Sequence, residues 1–214
     1  FKIMSSVILH IGYSKAGSTF LKGWFTEHPD ILLGGFENYE SFSEYVEGRN
    51  EDDLGQQLVL SNHIFNLFKW NFEEPLDTWM KKSGLPVYQS KMCHALNSLF
   101  PQAKIFFVTR GYSAMLKSFY SEYIRTGGLL SFNDMLAEYG PKFLQSTYDY
   151  DFLINLYIER YGRENIIALP YELLKDDADG FLRILEEQFG LNYYDFSCNP
   201  VNLSAGSKAM YWNR

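Results

Sequence analysis

The chain has 214 residues, enough for one domain that hides most of its surface, and its 46% hydrophobic and 18% aromatic content excludes a disordered polar chain. A formal charge of −7 excludes a general polyanion binder, because nucleic-acid domains carry a basic footprint. A local basic pocket for one nucleotide remains compatible with that charge.

In chain order, Val7 to Ile11 is a short apolar run ending at Gly12, which predicts a strand buried on both faces. Gly17 to His28 predicts a helix, with Phe20, Leu21, Trp24 and Phe25 at helical spacing and Pro29 beyond its end. His28, beside that proline, is expected to face solvent. Gln57 to Ser61, Pro86 to Ser90 and Lys104 to Thr109 read as further strands. The last runs into Arg110 and an amphipathic helix from Ser113 to about Arg125, closed by Gly127-Gly128. Another helix covers Tyr150 to Tyr161, followed by a strand at Ile166 to Leu169 and a helix at Gly180 to Phe189. Strands alternating with helices predict an α/β protein, a three-layer α/β/α arrangement around a central parallel sheet.

Ligands of such sheets bind at the C-terminal ends of the strands. Lys15, Ser18, Thr19 and Arg110 all fall just past strand ends. The acidic stretch from Glu37 to Asp53 reads as part of a mobile or ligand-facing insertion covering about 36–80, rather than as a linker. Cys93 and Cys198 show no metal-ligand or redox spacing, so they read as reduced structural thiols in a cytoplasmic setting. There is no apolar run long enough to span a membrane, no visible signal peptide and no cluster with metal-ligand spacing. Because the chain begins at Phe1, it reads as trimmed or excised from a longer one.

The first loop carries the strongest chemical signal. A strand, a loop bounded by Gly12 and Gly17 and a helix starting with Ser18-Thr19 form an anion cradle. Converging backbone N–H groups and the positive end of the helix favour phosphate there. The spacing invites comparison with the G-x-x-x-x-G-K-[ST] loop of ATP and GTP enzymes. Both glycines fit, but the position that requires lysine holds Ser18, and the loop's lysine stands three residues earlier, at Lys15. A nucleotide or small-molecule kinase using ATP and Mg²⁺ is therefore the secondary reading.

Ser14-Lys15-Ala16-Gly17-Ser18-Thr19-Phe20 resembles the 5′-phosphosulfate loop of the sulfotransferases that use 3′-phosphoadenosine 5′-phosphosulfate (PAPS). It departs from their pattern at Ser14, where Pro is usual, and at Ala16. The strand Lys104 to Thr109, then Arg110, then Ser118 eight residues later, resembles the family's 3′-phosphate signature. Tyr171-Glu172-Leu173-Leu174-Lys175 is similar to a third family segment, whose tyrosine lies near the adenine. The resemblance implies a single sulfotransferase domain over 1–214 of bacterial type, with a phosphosulfate-binding loop like a P-loop and a C-terminal lid cut short. It implies that Lys15 stabilises the bridging oxygen, that Ala16, Gly17, Ser18 and Thr19 hold the 5′-phosphate, and that Arg110 and Ser118 hold the 3′-phosphate. Phe20 and Tyr171 are implied beside the base, with PAPS as donor, adenosine 3′,5′-bisphosphate as product and no metal. The acceptor is then a hydroxyl on a small molecule, lipid or glycan.

A base for that hydroxyl is needed. His10 lies inside the first strand and reads as a satisfied core residue. Ser61-Asn62-His63 resembles a Ser-x-Glu segment of relatives with His in place of Glu, which makes His63 the first candidate. His94, past the Pro86 to Ser90 strand, and a carboxylate between Glu37 and Glu51 stay open. Asn199 to Lys208 stands where the family has a loop over the 3′-phosphate, without its letters.

Overall fold

The structure, a computed structural model, describes residues 7–13, 15–34, 56–62, 65, 84–140, 144 and 147–196. Five strands, β1 (Val7–Ile11), β2 (Ile31–Gly34), β3 (Gln57–Asn62), β4 (Lys104–Thr109) and β5 (Ile166–Pro170), form one sheet in the order β2-β3-β1-β4-β5. Every pairing is parallel, with Leu9 opposite Leu60 of β3 and Ile105 of β4. All five β1 residues are buried, which follows from neighbours on both edges and helices on both faces.

The helices are α1 (Ser18–Glu27), α2 (Leu85–Leu99), α3 (Tyr112–Arg125), α4 (Phe132–Tyr139), α5 (Tyr150–Tyr161), α6 (Tyr171–Asp176) and α7 (Ala178–Phe189). Consecutive residues of β4 show the two covered faces, since side chains alternate along a strand. Phe106 meets Phe181 and Phe189 of α7 and stacks on His10, whose other side meets Phe25 of α1. Phe107 turns the other way, onto Tyr157 of α5, which packs beside α2. Three layers result, as the alternation of strands and helices predicts. From β1 the chain runs to β2 and β3 on one side, then to β4 and β5 on the other. The order therefore reverses beside β1, where a crevice opens at the strands' C-terminal ends.

Two expectations are overturned. Pro86 to Ser90 is not a strand but the first part of α2. Val87 and Tyr88 are strand formers, yet Leu85, Gln89, Cys93 and Leu96 are buried at helical spacing, and a proline in the first turn favours a helix start. His94, whose claim rested on that strand, lies exposed on the helix. The fifth strand is instead β2, only four residues long and too short to show a period. His28 does not face solvent: it is 2% exposed, Nδ1 accepts from the Asp30 N–H and Nε2 lies 3.2 Å from the Asn192 carbonyl. It joins the end of α1 to the segment after α7.

The remaining boundaries shift by a residue or two at most. Cys93 is a buried free thiol, its pKa pushed up to about 12 by burial. No described helix is long and apolar enough to cross a membrane.

Candidate functional site

The crevice is built around the turn between β1 and α1. Lys15 has φ +68°, the one positive value among the described residues other than glycine. That left-handed geometry costs a lysine roughly 1–2 kcal/mol. Neighbouring contacts hold it: the Ala16 N–H donates to the Tyr13 carbonyl at 3.4 Å, and Arg110 Nη1 donates to the Lys15 carbonyl at 2.6 Å. Ala16 is buried. Gly17 follows at φ +82°, where a Cβ would stand 2.7 Å from Leu174 Cδ2 and 3.3 Å from two Tyr171 ring carbons. Backbone angle and neighbours both select glycine there.

Gly17 is also the N-cap of α1, with no side-chain cap and no acidic residue in the first turn. The first N–H groups of the helix are thus uncapped by a side chain, and the positive end of the helix meets no carboxylate in that turn. Ser18 is half-buried and Thr19 exposed, while Phe20 is half-buried with its ring edge-on to Phe196.

A cavity of about 230 Å³ lies beside this turn. Lys15, Ser18 and Lys22 line it from the loop and α1, Ser61 and Asn62 from the end of β3, and His10 from β1. Lys22 stands four residues after Ser18, so both project on one side of the helix. That spacing is legible in the sequence, yet Lys22 is absent from the residues expected there. His10 fits its expected place in the core: it is 1% exposed and shares a 2.7 Å hydrogen bond with Ser61 through Nδ1. Burial, aided by the Lys22 charge, pushes its pKa down to about 3, so it stays neutral at physiological pH.

Arg110 closes the other side. Besides gripping the Lys15 carbonyl, its guanidinium carbon lies 4.5 Å above the centre of the Tyr171 ring. Its Nε is buried and has no partner among the described residues. An unpaired buried donor is costly, and an anion supplied from outside the chain would satisfy it. Tyr150 fixes the backbone here, its hydroxyl donating to the Arg110 carbonyl at 2.9 Å. Tyr171 therefore touches both Arg110 and the Gly17 turn, and Glu172, next in α6, accepts from the Gly111 N–H at 3.1 Å.

On α3, Ser118 is half-buried and one helical turn before Glu122. Glu122 reaches the loop: Lys15 Nζ lies 3.2 Å from its Oε2, and Arg125 pairs with both of its oxygens. The Arg125 hydrogen bond first, then Lys15, hold the Glu122 carboxyl below its usual range. Ser118 thus lies on the side of α3 that carries the loop contact.

Lys15, Gly17, Ser18, Arg110 and Tyr171 come together around one turn, with Ala16, Thr19 and Phe20 beside them in the chain, while Ser118 stands on α3 one turn before Glu122. Ser14, His63, the Glu37 to Glu51 carboxylates and Asn199 to Lys208 lie outside the described residues.

No protein-family model matches the sequence, and no curated protein does. Solved structures do match in shape. A sulfotransferase from Alicyclobacillus acidocaldarius superposes with a TM-score of 0.66 at 15% identity, over 86% of this chain and 81% of that one. Mouse sulfotransferase SULT7A1 complexed with PAP gives a TM-score of 0.57 at 15% identity. That match covers 90% of this chain and 61% of the mouse chain. The fold of this chain is a sulfotransferase-family fold.

Proposed function

We propose that this chain, on its sulfotransferase-family fold, moves a sulfuryl group from PAPS to a hydroxyl of a small-molecule, lipid or glycan acceptor. The observation that carries the reading is the joint between the two signature segments: Arg110, past β4, donates to the carbonyl of Lys15 in the loop past β1. One phosphate site at each of two adjacent strand ends suits a nucleotide with phosphates at both ends of its ribose. The buried, unpaired Arg110 Nε and the side-chain-free cap of α1 are the donors such a ligand would satisfy.

In this reading the α1 N-terminus with Gly17, Ser18 and Thr19 holds the 5′-phosphate, and the backbone of Ala16 shapes the turn. Arg110 presents its planar fork to the 3′-phosphate, joined by the Ser118 hydroxyl. Tyr171 and Phe20 stand for the adenine. The acceptor oxygen attacks sulfur in line; its bond to sulfur forms as the bond from sulfur to the bridging oxygen breaks. Lys15 neutralises charge growing on that oxygen, which departs with adenosine 3′,5′-bisphosphate. Lys22 adds a second cation beside the transferring group. His63 takes the acceptor proton, by the resemblance of Ser61-Asn62-His63 alone. The domain is taken as 1–214, in a cytoplasmic setting.

A kinase using ATP and Mg²⁺ is less well supported, because Ser18 stands where such a loop requires lysine at the helix start. Calorimetry separates the two. Adenosine 3′,5′-bisphosphate should bind without Mg²⁺ and more tightly than ATP. Failure of the bisphosphate to bind, with ATP binding only when Mg²⁺ is present, refutes the sulfotransferase reading.

A further inference from the structure

The proposed chemistry gives Glu122 no part, yet Glu122 holds the lysine on which that chemistry turns. A carboxylate 3.2 Å from Lys15 Nζ occupies the ammonium that a phosphosulfate would require. The pair bridges 107 positions of sequence, so it is made by tertiary packing rather than by helix spacing. Arg125, one turn further along α3, already grips both Glu122 oxygens. The carboxylate therefore keeps a cation partner if Lys15 departs. The lysine backbone, meanwhile, is pinned at φ +68° by Arg110 on its carbonyl. The loop stays in place while the side chain is free to change partners. Both side chains are about one third exposed, at 34% for Lys15 and 30% for Glu122, which keeps the pair weak enough to exchange.

We infer that Glu122 is a positioning residue: it latches the Lys15 ammonium in an ion pair beside the donor site, and an incoming anion must draw the ammonium off it. This rests on the proposed function only for the identity of the anion. The latch predicts a direction that a merely structural pair does not. Removing the Glu122 charge removes a competitor and tightens anion binding, whereas a structural pair would leave affinity unchanged or weaken it. Exposed ion pairs contribute up to about 1 kcal/mol, which corresponds to a gain of about 5-fold in Kd.

The test is a double-mutant cycle read by calorimetry with two probes, adenosine 3′,5′-bisphosphate and inorganic pyrophosphate, in low salt without Mg²⁺. Glu122→Gln should tighten both by about 5-fold, and the gain should vanish when Lys15→Met is already present. Glu122→Asp, which keeps the charge, should stay within about 2-fold of the parent chain. A gain that survives in the Lys15→Met background is general electrostatics and overturns the latch, as does an unchanged or weaker Kd in Glu122→Gln. If pyrophosphate binds and the bisphosphate does not, the donor assignment fails and the pyrophosphate cycle alone decides the latch. If neither binds any variant, both readings fall.

Discussion

Substitution of Gly17 by alanine separates two costs that the turn combines. A left-handed backbone costs an L-residue roughly 1–2 kcal/mol wherever it occurs. Gly190, at φ +71° with nothing within 4 Å of its virtual Cβ, isolates that cost: it caps α7, with the Leu191 N–H on the Glu186 carbonyl. Gly17 at φ +82° adds overlap, with Leu174 Cδ2 at 2.7 Å and the Tyr171 ring at 3.3 Å. A leucine methyl can often swing aside, but Leu174 is only 5% exposed, and the half-buried Tyr171 carries Arg110 on its face, so moving it disturbs that contact. Overpacking of this kind adds roughly 1–3 kcal/mol. Urea unfolding should therefore show a loss of about 1–2 kcal/mol for Gly190→Ala and about 2–5 kcal/mol for Gly17→Ala. Displacing Tyr171 also moves Arg110, so Gly17→Ala alone should weaken bisphosphate binding, by about 10-fold or more, equivalent to about 1.4 kcal/mol. Equal stability losses in the two variants, with bisphosphate affinity unchanged in Gly17→Ala, would refute the packing argument.

Arg110→Lys keeps the charge but loses the fork that reaches both the Lys15 carbonyl and the Tyr171 face, so bisphosphate Kd should rise at least about 10-fold by calorimetry, with a smaller loss for Ser118→Ala. Lys22→Met should slow PAPS-dependent turnover while changing bisphosphate Kd by less than about 5-fold, a split visible in kcat against Kd. His63→Ala should lower turnover strongly with bisphosphate affinity nearly intact; turnover within a few-fold of the parent would remove His63 as the base. The buried His10 predicts a pH effect on stability. Above the ordinary imidazole value of 6.5 it is neutral in both states, but its folded pKa is about 3. Between those limits the unfolded chain binds a proton that the folded chain refuses, so stability falls as pH falls, approaching about 1.4 kcal/mol per unit. Urea unfolding at pH 6 and pH 4.8 should show this loss, and His10→Asn should remove most of it.

Much of the frame was written locally. Val7 to Leu9 and Ile105 to Val108 are unbroken apolar stretches at the heart of two strands, so burial on both faces, and hence a parallel sheet, follows from the letters alone. Gly17 with Ser18-Thr19 marks a helix start, and Arg110 directly after a strand marks a sheet edge. Short windows misled where two periodicities share the same residues: Pro86 to Ser90 suits a strand until the buried positions as far as Leu96 are counted. His28, at a helix end beside proline, reads as exposed because its cover comes from Asn192, 164 residues away.

The candidate site divides the same way. Lys15, Ser18 and Thr19 are neighbours in the chain, and local spacing suffices to propose an anion cradle. That Arg110 would hold the carbonyl of Lys15, that Tyr171 would lie against both Arg110 and Gly17, and that Glu122 would take the ammonium depend on the strand order β3-β1-β4 and on the seat of α3. These contacts join segments up to 154 residues apart, counted from Gly17 to Tyr171. The sequence by itself determined that Lys15, Ser18, Thr19 and Arg110, residue types suited to an anion, stand just past strand ends, because that is a property of nearest neighbours. Only the tertiary structure decided what each of them touches, because that is set by which buried surfaces pack together.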